Sequence, residues 1–240
     1  MRAAAVTVMA LVAALLAAPA TEARNQNRVF TPCDDAKVQR WDGFTFGIAF
    51  SSRDSYFSDG VQLSPCDSRL SLSSNGAHLA VFRPMVDEIS LLTINGKSNP
   101  AISSGGYMVA FGGRKYAARS FPAFAGNSSY VVTSFTLVLE FQQGTLVNLY
   151  WKRDGCDSCS DKSNFVCLDD QDCAIKTSSC KDQGGSLDCT IGIQLAFSGT
   201  DKHETVLNSW YEVSNLRQYS LYALYSNFKD SITSPFDSLL

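Results

Sequence analysis

The chain has 240 residues, of which 45% are hydrophobic and only 18% are charged, a composition typical of a globular domain with a sizeable apolar core. Its net charge of −3 argues against a nucleic-acid-binding domain, because such domains usually carry a basic surplus on one face. Eight cysteines are more than an ordinary intracellular enzyme carries, and they point to disulfide bonds.

Residues 1–23 are typical of a secretory signal peptide. A run rich in Ala, Leu and Val follows Arg2, and small residues including Ala23 come after it. No later segment reaches the roughly 20 consecutive apolar residues of a transmembrane helix. The mature chain, residues 24–240, is therefore predicted to be a secreted protein without a transmembrane segment.

Strands are predicted where apolar residues alternate with small or polar ones, because successive side chains of a strand point to opposite faces. Residues 44–50 show this pattern with phenylalanine, and 79–83, 89–94, 107–111 and 115–121 are shorter β-rich runs. Gly112-Gly113 predicts a two-residue hairpin turn between the last two runs.

Three further strands are predicted at 130–141, 146–151 and 187–197, and every odd position of the last run is apolar. Residues 215–232 fit a helix with an apolar stripe, and a final strand there is the alternative. The predicted fold is all-β: a single domain of residues 24–240, an antiparallel two-sheet sandwich or jelly roll with a short C-terminal helix.

The cysteines form two groups. Cys33 and Cys66 flank the first strand and are predicted to bridge, tying the N-terminal segment to the sandwich. The other six lie in or beside an insertion at 154–188, which we place at one end of a β-hairpin: Cys156, Cys159, Cys167, Cys173, Cys180 and Cys189. Three disulfides there have 15 possible connectivities. Zinc binding is the alternative for the C-x-x-C pair, but an oxidising route favours disulfides.

Charges are unevenly distributed. The insertion carries eight aspartates against three lysines, yet it lacks the Gly and closing Glu of a calcium loop, so we predict no metal site and no cofactor. Arg114, Lys115 and Arg119 gather at the Gly112-Gly113 hairpin and are candidates for contact with an acidic polysaccharide; charges that protect an edge strand are the commoner explanation.

Motifs for catalysis are scarce: the chain has no G-x-S-x-G, P-loop or G-x-G-x-x-G sequence. His78 follows the Asn75-Gly76 turn, and His203 lies in a polar turn. Each is interpreted as a surface or loop-anchoring residue, with a catalytic role as the alternative. A glycosidase needs two carboxylates at a cleft, for which Glu140 and Asp188 are weak candidates on the polar faces of two strands.

Two other kinds of site are predicted. Trp41, Trp151 and Trp210 are candidates for a sugar-stacking platform, with packing in the core or at its rim as the alternative. Asn127 begins the acceptor triplet for N-glycosylation, Asn127-Ser128-Ser129, which fits a surface loop of a secreted glycoprotein.

Several runs carry a resemblance to a family: DGFTFGIAF at 42–50, VDEISLLTIN at 86–95, YWKRDGC at 150–156 and GIQLAFSGTDKHE at 192–204. Together they resemble the plant Expp-type secreted proteins. The resemblance implies a plant protein of the secretory pathway and transfers no site residues.

The sequence favours a non-catalytic binding module of the cell wall or apoplast, or of the cell surface, with a polysaccharide or an extracellular protein as its partner. A jelly-roll carbohydrate-active enzyme using Glu140 is the first alternative. A structural protein without a ligand is the second.

Overall fold

The structure, a computed structural model, describes residues 25–94, 100–113, 118–153, 155–156, 159 and 164–211. The predicted signal peptide, Arg114, Lys115 and the predicted C-terminal helix lie outside these residues. The described chain is an all-β sandwich of two five-stranded sheets. It also contains one three-stranded and one two-stranded sheet. This architecture confirms the predicted fold class. No helix within these ranges is long and apolar enough to cross a membrane.

The strands are short, as in most antiparallel sandwiches, and are numbered here in chain order. They are β1 Phe46–Ser52, β2 Phe57–Ser58, β3 Val61–Gln62, β4 His78–Phe82, β5 Ser90–Ile94, β6 Gly106–Gly112, β7 Ala118–Arg119, β8 Ala123–Phe124, β9 Tyr130–Val132, β10 Ser134–Gln142, β11 Thr145–Lys152, β12 Phe165–Leu168, β13 Asp172–Lys176, β14 Ile191–Thr200 and β15 Val206–Leu207. One turn of α-helix, Pro100–Ser103, precedes β6.

The first large sheet has the order β4-β1-β6-β7, with β8 also paired to β6, and all its pairings are antiparallel. Phe46, Ile48 and Phe50 of β1 are buried in the main core, as the alternation predicts. The predicted hairpin between β6 and β7 also forms. Its loop is longer than the two residues predicted, because Gly112 pairs with Ala118.

The second large sheet has the order β11-β10-β14-β15, with β5 also on β14. Its odd-numbered apolar residues, such as Leu137 and Leu195, point into the same core. The β10–β14 pair is parallel, which the sequence did not indicate, while the other pairs are antiparallel. A parallel neighbour requires a long connection, and the chain between β11 and β14 supplies it.

The outer face of the first sheet is covered by residues 53–77. Tyr56, Leu70 and Leu72 of this segment pack against Val109 and Phe111. The Tyr56 hydroxyl donates to the Ala49 carbonyl at 2.8 Å, and burial raises the pKa of this phenol. The Cys33–Cys66 disulfide, formed as predicted, closes the segment onto the N-terminal chain.

The described part of the insertion contains more secondary structure than its composition suggests. Its strands β12 and β13 form a hairpin that pairs with β9, and Ala174 and Ile175 of β13 are buried. The disulfides are Cys156–Cys167, Cys159–Cys173 and Cys180–Cys189. The predicted placement at the end of a hairpin is wrong, because β11 and β14 pair with opposite sides of β10.

Candidate functional site

A shallow cleft of about 450 Å³ lies where the N-terminal segment passes the β10–β11 hairpin. We call it the hairpin cleft. Its lining is mainly polar and comes from two stretches distant in sequence: Asp35, Ala36, Lys37, Gln142, Gln143, Thr145 and Val147.

The hairpin side of the cleft is shaped by a tight turn and a bulge. Gln143 and Gly144 have φ of +48° and +76°, the type I′ pattern that matches the twist of two-residue hairpins. The β10–β11 register shifts after Glu140, so that Val147 is the extra residue of a β-bulge. Such bulges turn side chains away from the regular pleat, and here Val147 lines the cleft.

The other side of the cleft is fixed to this turn by backbone hydrogen bonds. The Val38 amide donates to the Gly144 carbonyl at 2.9 Å, and the Val38 carbonyl accepts from the Lys202 amide at 2.9 Å. Val38 itself is fully buried in the main core. Residues 35–37 are therefore held between a core residue and the Cys33–Cys66 disulfide.

Asp201 anchors the loop behind the turn. Its carboxylate accepts from the backbone amides of Arg40, His203 and Thr205 at 2.7 to 2.9 Å. Burial alone would raise the pKa of Asp201, but these three amides outweigh it and lower the pKa below its ordinary value. His203 thus belongs to a structural loop, in agreement with its interpretation from the sequence.

The cleft presents hydrogen-bonding groups of both kinds on a nearly neutral surface. Lys37 and Asp35 carry opposite charges, Gln142 and Gln143 each offer amide donors and an acceptor, and Thr145 offers a hydroxyl. Gln143 also donates to Glu204 at 3.3 Å, which orients its amide. The cleft can therefore donate and accept hydrogen bonds, and its two charged side chains balance each other.

Glu140 and Asp188 do not form a catalytic pair. Glu140 lies opposite Ser198 of β14, whereas Asp188 precedes the start of that strand. The stretch from Ile191 to Ser198 alone spans roughly 23 Å at 3.3 Å per residue, and paired glycosidase carboxyls lie within about 10 Å. Glu140 instead accepts from the Asn148 amide at 3.3 Å, and Asp188 accepts from the Thr190 backbone.

Glu140 acts on a neighbour electrostatically. Burial and, secondarily, the negative charge of Glu140 raise the pKa of the Tyr150 phenol. This contact lies on the outer face of the second sheet.

Two of the three tryptophans lie on opposite faces of the second sheet. Trp151 faces the main core, where it packs edge-on against Phe135 with ring centroids 5.7 Å apart. Trp210 packs against Val138 and Ala196 on the outer face of the same sheet. Trp41 lies in the loop before β1 with the Arg40 guanidinium 4.8 Å from its ring centroid. The three tryptophans therefore do not form a single stacking platform, and sugar binding by any one of them stays a prediction.

The remaining candidates are structural or exposed. Arg119 donates to the Gln62 carbonyl at 2.6 Å, which joins β7 to β3. Asn127 is exposed, and its side-chain oxygen accepts from the amides of Ser129 and Tyr130. Its position fits the surface loop expected of a glycosylation site, which stays a prediction.

A serine–histidine contact was not anticipated. His78 Nδ1 and Ser104 Oγ are 2.5 Å apart, which joins β4 to the loop before β6. A serine nucleophile needs such a base, but Ser104 is only 6% exposed. Its burial favours the role of a structural link. His78 is the first residue of β4 and not a loop residue, and through Ser104 it anchors the loop before β6.

One group of metal-type side chains is close together within the described ranges: the sulfurs of Cys156, Cys159 and Cys173 lie within 4.8 Å of one another. All three take part in disulfides. Asp169 and Asp170 lie in the exposed turn between β12 and β13, both with positive φ.

The residues of the hairpin cleft were missed because they carry no motif. The sequence Gln143-Gly144 indicates no more than a turn, and nothing in residues 35–37 distinguishes them from other polar loops. The pairing of Val38 with the turn brings the two stretches together, and the sequence does not show this pairing.

Comparison with known proteins identifies a family. The model described as "Uncharacterised protein DDB_G0273449" matches residues 3–130 and 123–230, so the chain belongs to that family. The resemblance to plant Expp-type proteins is therefore wrong, and no finding supports the plant origin that it implied. Neither the curated proteins nor the solved structures contain a significant match.

Proposed function

We propose that this member of the DDB_G0273449 family is a secreted, non-catalytic module that binds a neutral polysaccharide in the hairpin cleft. The observation that carries the proposal is the lining of that cleft: amides, a hydroxyl, an amine and a carboxylate on a frame fixed by a disulfide and backbone hydrogen bonds.

Secretion is supported by the disulfides. Four disulfides use all eight cysteines of the chain, and such pairing is typical of proteins that mature in an oxidising compartment. The signal-peptide pattern of residues 1–23 points the same way. Both observations support the proposed extracellular location.

A binding role is favoured over catalysis by the placement of the candidate acids. Glu140 and Asp188 are too far apart to act on one glycosidic bond. Asp35 supplies the one carboxylate among the lining residues of the cleft, so the lining offers no pair of carboxylates for glycoside hydrolysis. A cleft of this kind can recognise hydroxyl groups without a matched acid and base.

The ligand is proposed to be neutral because the lining has one positive and one negative side chain. Amide side chains donate and accept at once, which matches the paired hydroxyls of a sugar ring. Val147 and Ala36 offer small apolar areas for the C–H groups of the ring.

A glycan array probed with the mature protein, run beside a pull-down from extracellular extract, tests the proposal. We expect signals on neutral oligosaccharides and none on charged ones. A blank array contradicts polysaccharide binding. A protein captured by pull-down, with a blank array, assigns the module a protein partner instead.

Variants locate the binding on the molecule. Gln142→Ala combined with Thr145→Val removes hydrogen-bonding groups worth about 1 kcal/mol each, so affinity should fall roughly 10- to 100-fold. Gln183→Ala, which removes an exposed amide from the insertion, is the matched control and should bind like the native protein. Equal loss in both variants would show that the cleft is not the site.

A further inference from the structure

The insertion contains four cysteines whose sulfurs lie close together across two separate disulfides. Cys156 is bonded to Cys167, and Cys159 is bonded to Cys173. The sulfurs of Cys156, Cys159 and Cys173 are all within 4.8 Å of one another. We call these four residues the sulfur cluster.

We propose that the sulfur cluster is a redox-gated site for one thiophilic divalent ion, such as Zn²⁺, which binds only after both disulfides are reduced. This proposal is independent of polysaccharide binding, because the cluster lies in the insertion and the hairpin cleft is built from other segments.

The distances fit tetrahedral thiolate coordination. Zinc–sulfur bonds of 2.3 Å at tetrahedral angles place neighbouring sulfurs about 3.8 Å apart. Three of the four sulfurs are already within 4.8 Å of one another, and Cys167 is tied to one of them. Small side-chain rotations would therefore suffice to form the site.

The frame of the site does not depend on the disulfides that must open. Cys167 and Cys173 lie directly opposite each other in the β12–β13 hairpin. That hairpin is fixed by β9, since Ala174 pairs with Val132 and Ile175 with Val131. Ala174 and Ile175 are buried. Backbone pairing and packing therefore hold two of the four ligands, Cys167 and Cys173.

The other two ligands come from a C-x-x-C turn. The Cys159 amide donates to the Cys156 carbonyl at 3.0 Å, which holds these two cysteines close together. A C-x-x-C pair commonly supplies two ligands of one structural zinc site. Arg153, close before this turn, also forms an ion pair with Asp172 of β13. This ion pair links the segment of Cys156 to the β12–β13 hairpin even when the disulfides are reduced.

The chemistry balances with a dithiol as the reductant. Each disulfide takes two electrons and two protons from one dithiol, which leaves as a cyclic disulfide, so two dithiols yield four thiols. The metal ion then forms four metal–sulfur bonds and displaces four protons. Cys167 is exposed, so the first disulfide is open to attack.

Cobalt binding tests the proposal on the full mature chain. The protein is reduced with a phosphine, freed of reductant without air and titrated with Co²⁺, whose visible bands report tetrahedral thiolate ligands. We expect one equivalent per reduced chain and none per oxidised chain. Zinc added afterwards should abolish the bands, because thiolates bind it more tightly than cobalt.

Two double variants assign the ligands. Cys156→Ser with Cys159→Ser should abolish the cobalt bands. Cys180→Ser with Cys189→Ser, which removes the other disulfide of the insertion, is the control and should retain one equivalent. Equal loss in both variants, or binding by the oxidised protein, would overturn the proposal.

The tryptophan fine structure in the near-ultraviolet circular dichroism of the reduced proteins completes the test, because it reports the packing around buried tryptophans such as Trp151, which packs on Phe135 in the core. We expect this signal to persist on reduction in the native protein and in both variants. Loss of the signal in the reduced native protein would also contradict the proposal, since the ligands would then not be held by the fold.

Discussion

Gly144 offers a sharp test of how the hairpin cleft is held. Its φ is +76°, and a Cβ at this position would lie 2.5 Å from the Val38 carbonyl oxygen and 2.8 Å from the Lys202 amide nitrogen. Gly60, in the turn between β2 and β3, has nearly the same φ of +77°, but no atom lies within 4 Å of its Cβ position. Gly144→Ala and Gly60→Ala therefore share the backbone strain and differ in crowding.

The expected destabilisation can be worked out for each variant. Alanine in the left-handed region costs about 1–2 kcal/mol, partly offset by about 0.4–1 kcal/mol from the less flexible unfolded chain. Gly60→Ala should thus cost about 1 kcal/mol. In Gly144→Ala the Val38 backbone must also move, which breaks two hydrogen bonds of about 1 kcal/mol each. The total is about 3 kcal/mol.

Urea unfolding followed by tryptophan fluorescence measures both values. The predicted difference between the two variants is about 2 kcal/mol, and polysaccharide affinity should fall only in Gly144→Ala. A difference below about 0.5 kcal/mol would refute the reasoning, because the contacts between Val38, Gly144 and Lys202 would then add nothing to stability.

Three other predictions each concern one side chain. Asp87→Ala should lower the free energy of unfolding by about 2–4 kcal/mol, because it leaves Arg40 without its buried partner and uncaps the amides of Asn208 and Ser209; urea unfolding measures this, and a loss under 1 kcal/mol would contradict it. The lowered pKa of Asp201 adds stability that is complete above its unfolded value of 3.8 and is lost as the pH falls through the lower folded value; unfolding curves from pH 5 to 2 should show this slope, and Asp201→Asn should flatten it. Secretion from a glycosylating host should give a protein whose mass falls on treatment with peptide N-glycosidase, and Asn127→Gln should remove that shift; an unchanged shift would exclude this residue.

Alternation predicted the strands that face the core on one side. Phe46, Ile48 and Phe50 lie in the main core because successive side chains of a strand alternate between its two faces, and the same reasoning located β10 and β14. The other face of β1 is buried as well, under residues 53–77, which the period of two did not predict. The parallel pairing of β10 with β14 could not be predicted in this way, since a period of two describes one strand and not its neighbour.

The segment over the first sheet was missed for a related reason. Tyr56, Leu70 and Leu72 cover the outer face from short turns without a regular period. The Cys33–Cys66 bridge was predictable because those two cysteines stand apart from the rest. The pairing of the other six required the β12–β13 hairpin, which places Cys167 opposite Cys173.

The candidate site depended on contacts between distant residues. Glu140 and Asp188 both occupy polar positions of predicted strands, but their separation follows from the β10–β14 register. Trp151 and Trp210 could not be assigned to opposite faces of a sheet before the sheet was known. The hairpin cleft likewise arises from the pairing of Val38 with Gly144.

The most direct test of polysaccharide binding is a nitrogen-15 NMR titration of the mature protein with a neutral oligosaccharide selected on the array. We predict shift changes in the backbone amides of Lys37, Thr145 and Val147 and in the side-chain amides of Gln142 and Gln143, with little change in the insertion. Shift changes centred on Trp41 or Arg119, or no change at saturating oligosaccharide, would contradict binding in the hairpin cleft.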